Sequence, residues 1–299
     1  MPKRNPKSVP KTSGRTNNNS SSGKRTTRKS KTKPSAASRV KHKAESKNVL
    51  HMTKSVTAND LEARRVLAID IGGTNVKMLL NGQTETRKFP SSKEMTPSDF
   101  IEQVQKHTSD WDYNCVSIGY PGLTGPNGPL SEPGNLGPGW VAFDFQAALG
   151  MPVKIMNDAA MQALGSYEGG RMLFLGFGTG LGSTLICHST VISLELGNVR
   201  WNDKATSGEM LGRRALKKLG RKKWRKIAWA FINSAIKSFN ADYIVVGGGN
   251  AKVLGALPPG VRRGHNQTAF RGGFRLFGVE DMPSTAHETL EHDKKWRLL

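Results

Sequence analysis

Two units of strand, glycine turn and strand, one around Gly73 and one around Thr179, constrain this chain more than any other feature of its sequence. In the first, the apolar run Val66-Leu67-Ala68-Ile69 has the pattern of a buried strand and Asp70 closes it. Gly72-Gly73-Thr74 then makes a tight turn and residues 75–80 return as a second strand, which reads as a hairpin. In the second, residues 172–177 lead into Gly178-Thr179-Gly180-Leu181-Gly182, and residues 183–187 return. Glycine lets a backbone approach a bound oxyanion, and turn N–H groups can donate to it. Asp70 is then a candidate ligand for a divalent cation, directly or through water, and Lys77 adds positive charge. Taken alone, the same residues also suit an ordinary hairpin. The repetition predicts two related halves.

Between and beyond these units the chain alternates strands and helices. Residues 85–89 are expected as a third strand, and Thr96-Pro97-Ser98 starts a helix with Phe100, Ile101 and Val104 on one face. Residues 113–120 form a strand, residues 121–139 a Gly/Pro-rich loop held over a site, and residues 144–149 a short helix closed by Gly150. Residues 153–156 read as a buried strand with Asn157-Asp158 at its end, where a helix over 159–167 begins. A carboxylate there suits a general base facing a cleft and equally a helix N-cap. Residues 191–194 are expected as a strand, residues 209–219 and 224–239 as helices, and residues 243–246 as a strand entering Gly247-Gly248-Gly249-Asn250. A last helix is expected over 284–293. The stretch from Arg213 to Lys226 reads as a basic helix, with nine cations in fourteen positions; its two readings are a solvated face and a surface for an anionic chain.

Charge is unevenly spread. The 299 residues hold 45 Lys and Arg against 23 Asp and Glu, a net charge of +22. Residues 1–50 carry fifteen of those cations and a single acid, Glu45, so +14 of the excess sits there. The segment from residue 1 to about residue 58 is too poor in apolar residues to offset chain entropy and is expected to be disordered. It is either an electrostatic arm for a polyanion or a solvated extension. With no aromatic residue before Phe89, the arm cannot stack on bases. Cys115 and Cys187 are too few for a metal cluster and suit a reducing compartment. No run approaches 18 apolar residues, so no membrane span is expected. The basic N-terminus lacks the apolar centre of a secretion signal, and the expected location is cytoplasmic.

Taken in order, Asp70-Ile-Gly-Gly-Thr-Asn-Val-Lys77, Tyr120-Pro-Gly122, Asn135-Leu-Gly-Pro-Gly-Trp140 and Pro152-Val-Lys-Ile-Met-Asn-Asp-Ala159 resemble the ROK family of sugar kinases. So do Leu175-Gly-Phe-Gly-Thr-Gly-Leu-Gly-Ser183, Glu195-Leu-Gly-Asn198 and Val245-Val-Gly-Gly-Gly-Asn250. ROK kinases lie within the actin/hexokinase superfamily, and the likeness is nearest to the polyphosphate/ATP glucokinase branch. It implies an α/β, two-lobed, actin-like (ribonuclease H-like) fold behind the basic tail. The tail is expected over residues 1–64, a small lobe over 65–158, and a larger lobe over 159–299 whose end packs back on the first. The implied activity is phosphoryl transfer from ATP or polyphosphate to a hydroxyl of glucose or a related hexose, with Asp158 as base. Asn135, Asn157, Asp158, Glu195 and Asn198 would meet the sugar. Asp70, Gly72, Gly73, Thr74, Asn75, Lys77, Gly178, Thr179 and Gly180 would surround the phosphates, with Mg²⁺ near Asp70, in part through water. Gly247, Gly248 and Gly249 would let a nucleotide lie against the backbone. A homodimer is expected because family members are often dimers. The alternative is a non-catalytic sugar- or nucleic-acid-binding regulator on the same fold.

The chain departs from that family where Asn198 replaces a usual His, which cannot then hold charge near a sugar hydroxyl. The cysteine-rich zinc motif of many members is missing, so no zinc site is expected. Residues 198–209 are short, and no helix-turn-helix is visible before residue 65.

Overall fold

The computed structural model describes residues 64–265, 267–279 and 296–299. The expected tail, apart from Arg64, and the helix expected over 284–293 lie outside these residues. In chain order the strands are β1 (Val66–Ile71), β2 (Asn75–Leu80), β3 (Arg87–Pro90), β4 (Cys115–Tyr120), β5 (Thr124–Gly125), β6 (Gly128–Pro129), β7 (Val153–Asn157) and β8 (Arg171–Phe177). They continue with β9 (Leu181–Cys187), β10 (Thr190–Leu194), β11 (Arg200–Asn202), β12 (Ala205–Thr206), β13 (Tyr243–Gly247), β14 (Val261–Arg263) and β15 (Arg297–Leu298). The helices are α1 (Pro97–His107), α2 (Phe145–Leu149), α3 (Asp158–Ser166), α4 (Ser207–Leu211), α5 (Arg213–Ser238) and α6 (Thr268–Leu276).

Two sheets carry the fold. The first runs β3-β2-β1-β4-β7 and the second β14-β13-β8-β9-β10-β15. In the first, β3, β2 and β1 are antiparallel neighbours, and β4 and β7 follow β1 in parallel. In the second, β10, β9 and β8 repeat the antiparallel part, and β13 and β14 repeat the parallel part. The two strand orders are therefore the same, with β15 added at one edge. The repeat extends to the helices, since α3 follows the last parallel strand of the first sheet and α6 that of the second.

Each half buries one helix stripe of its own. In α1, started by a capping box between Thr96 and Asp99, Phe100, Ile101 and Val104 bury against β1, β2 and Trp140. In α5, Trp224, Ala228, Ile232 and Ala235 recur at helical spacing and join Leu173, Leu175 and Ile244 of the second sheet. A third cluster joins α3 and α6 to Val66 and Ala68 of the first sheet and to Met172, Phe174 and Val245 of the second. Those two helices thus form the layer between the sheets.

Two local expectations are corrected. The helix expected over 209–219 is divided at Gly212, where α4 ends and α5 begins. A Cβ on Gly212 would collide with the Thr179 carbonyl oxygen, so the chain bends there to pass the second glycine turn. The basic stretch from Arg213 to Lys226 is not one regular helix either, because Gly220 sits at φ 76°, ψ 161°. That backbone is open almost only to glycine.

Candidate functional site

The parallel strands of both sheets deliver their C-terminal ends to loops, the usual place for ligand sites in α/β sheets. Asp70 is the penultimate residue of β1 and pairs in register with Lys77 of β2. Burial holds its carboxyl above the ordinary value, and the Lys77 charge works against that rise. In the turn that follows, Gly72 N–H donates to the Asn75 carbonyl at 3.1 Å. Ser91, just after β3, anchors the same turn: its hydroxyl donates to the Gly72 carbonyl at 2.8 Å and its N–H to the Thr74 carbonyl at 3.1 Å. With these carbonyls held inward, Gly73 and Thr74 are exposed.

Loop 121–139 is not the unpacked segment expected. It contains the β5–β6 hairpin and is tied down along its length. Tyr120 Oη donates to the Ser131 carbonyl at 2.8 Å, and Leu123 N–H to Ser131 Oγ at 3.2 Å. Both Glu132 carboxylate oxygens accept backbone bonds, from Trp140 N–H at 3.1 Å and Val141 N–H at 3.2 Å. These ties set Asn135 over the first turn, where a Cβ on Gly73 would meet its Nδ2 at 3.6 Å. Neither Ser91 nor Glu132 was legible as a site residue, since each acts on backbone groups that only the fold brings near.

Asn157 ends β7 and caps α3. Its Oδ1 accepts from Ala159 N–H at 3.0 Å and Ala160 N–H at 3.2 Å, and its Nδ2 donates to the Gly122 carbonyl at 3.1 Å. It fastens loop 121–139 to the start of the helix. The cap is supplied by Asn157, and Asp158 Oδ1 accepts from Ala159 N–H at 2.7 Å. Its pKa rises to about 7: burial is the main cause, the Asp70 and Glu195 charges add to it, and the Ala159 N–H opposes it. The charges of Asp70 on β1 and of Glu195 after β10 thus both bear on Asp158. Glu195 accepts a 3.3 Å hydrogen bond from Asn198 Nδ2. The short 3-10 turn Leu196–Asn198 is fixed by Ser183, whose Oγ donates to the Leu194 carbonyl and accepts from Leu196 N–H, and by Ser207, which donates to the Leu196 and Val199 carbonyls.

The second turn joins β8 to β9. Gly178 N–H closes it on the Gly180 carbonyl at 3.1 Å. The Gly178 carbonyl receives Arg213 N–H at 3.0 Å and Asn250 Nδ2 at 2.9 Å, so α5 and the Gly247-Gly248-Gly249 loop both rest on this turn. Gly248 takes φ 77° with the Phe177 backbone directly beneath it, an approach that leaves no room for a side chain. The sequence thus placed all three glycine segments at strand ends, and the fold joins the second to the third.

Among the described residues no group of three His, Cys, Asp or Glu side chains is arranged to hold a metal ion. Asp70 offers the hard oxygen donor that Mg²⁺ takes, a cation that keeps much of its water.

No protein-family model matches this chain, and no curated protein does. Solved structures do. An inorganic polyphosphate/ATP-glucomannokinase from Arthrobacter sp. strain KM matches with a TM-score of 0.61 at 22% identity, over 72% of this chain and 98% of that one. A ROK family glucokinase from Streptomyces griseus, solved with glucose and AMPPNP, matches with a TM-score of 0.58 at 15% identity, over 71% and 98%. A ROK family transcriptional regulator, a homologue of the E. coli MLC protein, matches with a TM-score of 0.57 at 15% identity, over 74% and 83%. At these identities the likeness is one of fold, and this chain has the actin-like fold of the ROK sugar kinases.

Proposed function

We propose that this protein is a sugar kinase that moves a phosphoryl group from ATP or inorganic polyphosphate to a hydroxyl of glucose or a related hexose. The observation that carries the reading is Asp158, a buried carboxylate at the start of α3 whose pKa is raised to about 7 by burial and by the charge of Asp70 on β1. Asp158 accepts the hydroxyl proton as that oxygen attacks the terminal phosphorus, and the bond from phosphorus to the bridging oxygen of the donor breaks. Asn135, Glu195 and Asn198 orient the sugar, and Asn157 holds the loop that carries Asn135. Asp70, Asn75, Lys77 and the turns Gly72-Gly73-Thr74 and Gly178-Thr179-Gly180 receive the phosphates. Gly247, Gly248 and Gly249 line the nucleoside end. Mg²⁺, when bound near Asp70, neutralises charge on the phosphate oxygens.

Polyphosphate as donor is favoured by the first part of α5. All nine of its cations from Arg213 to Lys226 are exposed, none is in an ion pair among the described residues, and Arg213 N–H touches the second turn. No helix among the described residues is long and apolar enough to cross a membrane. The fold likeness to a transcriptional regulator supports the second reading, a non-catalytic binder. The deciding experiment offers the full chain glucose and Mg²⁺ with ATP or polyphosphate, beside a DNA-binding titration at moderate salt. A phosphorylated sugar product supports the kinase. DNA binding with no sugar phosphorylation overturns it.

A further inference from the structure

We infer that Asn250 is a positioning residue for the donor end of the site: its amide holds the Gly178–Gly180 turn in shape and couples it to the Gly247–Gly249 loop. The inference rests on the kinase reading for its consequence in turnover, and on geometry alone for its consequence in structure.

Asn250 is 7% exposed and all its bonds are directed. Its N–H donates to the Phe177 carbonyl at 2.9 Å, and its own carbonyl accepts Val253 N–H at 2.9 Å. Its Nδ2 donates to the Gly178 carbonyl at 2.9 Å. It stands at the N-cap of the 3-10 helix Ala251–Leu254, where an Asn side chain ordinarily binds the helix's own N–H groups. It makes no such cap bond. The side chain is committed to the turn instead. Through it, the residue after the last strand-end glycine of one loop fixes the first glycine of the other.

The chemistry requires an amide. The Gly178 carbonyl is an acceptor, so its partner must donate. Aspartate has the same shape but would set a carboxylate against that carbonyl, and a buried acceptor facing an acceptor is costly. Alanine simply removes the donor. The two variants therefore separate positioning from space filling. If Asn250 only fills volume, Asn250→Asp is the mild change and Asn250→Ala the severe one. If it positions the turn through hydrogen bonding, the order reverses.

The test compares the wild-type full chain with Asn250→Asp and Asn250→Ala, using glucose, Mg²⁺, and ATP or polyphosphate of defined length. Asn250→Asp is expected to raise the KM for both donors at least tenfold, with Asn250→Ala between it and wild type and the KM for glucose within twofold throughout. In parallel, amide hydrogen exchange is followed at Gly178 and Arg213, whose N–H groups are bonded within this junction. Exchange there is expected to accelerate at least tenfold in Asn250→Asp, while strands β1 and β4 keep wild-type protection. Unchanged exchange at both amides, or an Asn250→Ala that is the worse of the two, overturns the inference. If the wild-type chain phosphorylates no sugar, the kinase reading falls, and the exchange arm still decides the role of Asn250.

Discussion

Gly165 of α3 and Gly272 of α6 touch through their backbones. A Cβ on Gly165 would strike the Thr268 carbonyl oxygen, and one on Gly272 would strike the Met161 carbonyl oxygen. The contact is reciprocal, as expected when the two helices occupy equivalent places in two equivalent halves. It lets both fit between the sheets. Gly273 of α6 then lies against Ala68 and Ser117 of the first sheet, and Ala159 of α3 against Gly182 of the second. Each helix follows one sheet and packs on the other, so Asp158, the first residue of α3, is held by both.

Gly165→Ala or Gly272→Ala is expected to destabilise the protein by at least about 3 kcal/mol, at the upper end of overpacking costs because backbone cannot yield as a side chain does. Gly134→Ala, where an added Cβ meets nothing within 4 Å, is expected to stay within about 0.5 kcal/mol. Denaturant melts of the three variants check this. Equal midpoints for Gly165→Ala and Gly134→Ala would contradict the crossing geometry.

Asp158 should govern both activity and the pH dependence of stability. Its folded pKa is about 7, against 3.8 as the ordinary value. The folded state therefore keeps a proton that the unfolded chain releases between about pH 4 and pH 7, and stability falls as pH rises through that window. Asp158→Asn removes this dependence. The variant is expected to match wild type near pH 4 and to be the more stable protein at pH 8 by a few kcal/mol, since each tenfold change in proton affinity is worth about 1.4 kcal/mol. Its phosphoryl transfer should fall by at least a hundredfold. In wild type, kcat/KM should rise with pH towards a plateau above about 7, as the base ionises. Melts across pH and a pH–rate profile test both parts, and an Asp158→Asn chain with full activity removes Asp158 from the mechanism.

The duplication was legible because it is written in local sequence: an apolar run, a glycine turn and a returning run, twice. So were Asp70 before one turn and Asn157-Asp158 at a strand end. The work of Asn157 was less legible, since a cap and a sugar ligand call for the same side chain, and only the fold shows that one of its two amide N–H groups ties down the Gly122 carbonyl. Ser91, Glu132 and Asn250 act on carbonyls and N–H groups from 8 to 72 positions away. Such partners have no signature in a single sequence. The break at Gly220 was legible in part, since the helices expected over 209–219 and 224–239 leave it between them, but the reading of 213–226 as one basic helix ran across it. Isolated glycine is tolerated in helices, and the basic residues on both sides carry helical spacing straight through it.

Gly220 gives a direct check of that break. With φ 76° and ψ 161°, any side chain there is strained even though an added Cβ meets nothing within 4 Å. Gly220→Ala is expected to cost about 1–3 kcal/mol, whereas the same change in a regular exposed helix would stabilise by about 1 kcal/mol. The sign of the shift in a thermal melt separates the two.

The basic face from Arg213 to Lys226 leads to the last prediction. Its nine cations are exposed and none is in an ion pair among the described residues. Their effect must come through long-range attraction, which for exposed charges decays over about 8–10 Å at physiological salt. ATP presents few charges beyond the phosphates that the two turns would receive on the kinase reading. A polyphosphate chain carries charge for its whole length and would continue over α5. Replacing Lys217, Lys218, Lys222 and Lys223 together with Gln should therefore raise the KM for polyphosphate at least tenfold at low salt and leave the KM for ATP within threefold. Raising the salt from about 50 to about 300 mM should weaken wild-type use of polyphosphate steeply and erase most of the difference between the two proteins. A fourfold variant that uses long polyphosphate as well as wild type at low salt would assign this face to solvent and leave ATP as the donor the site is built for.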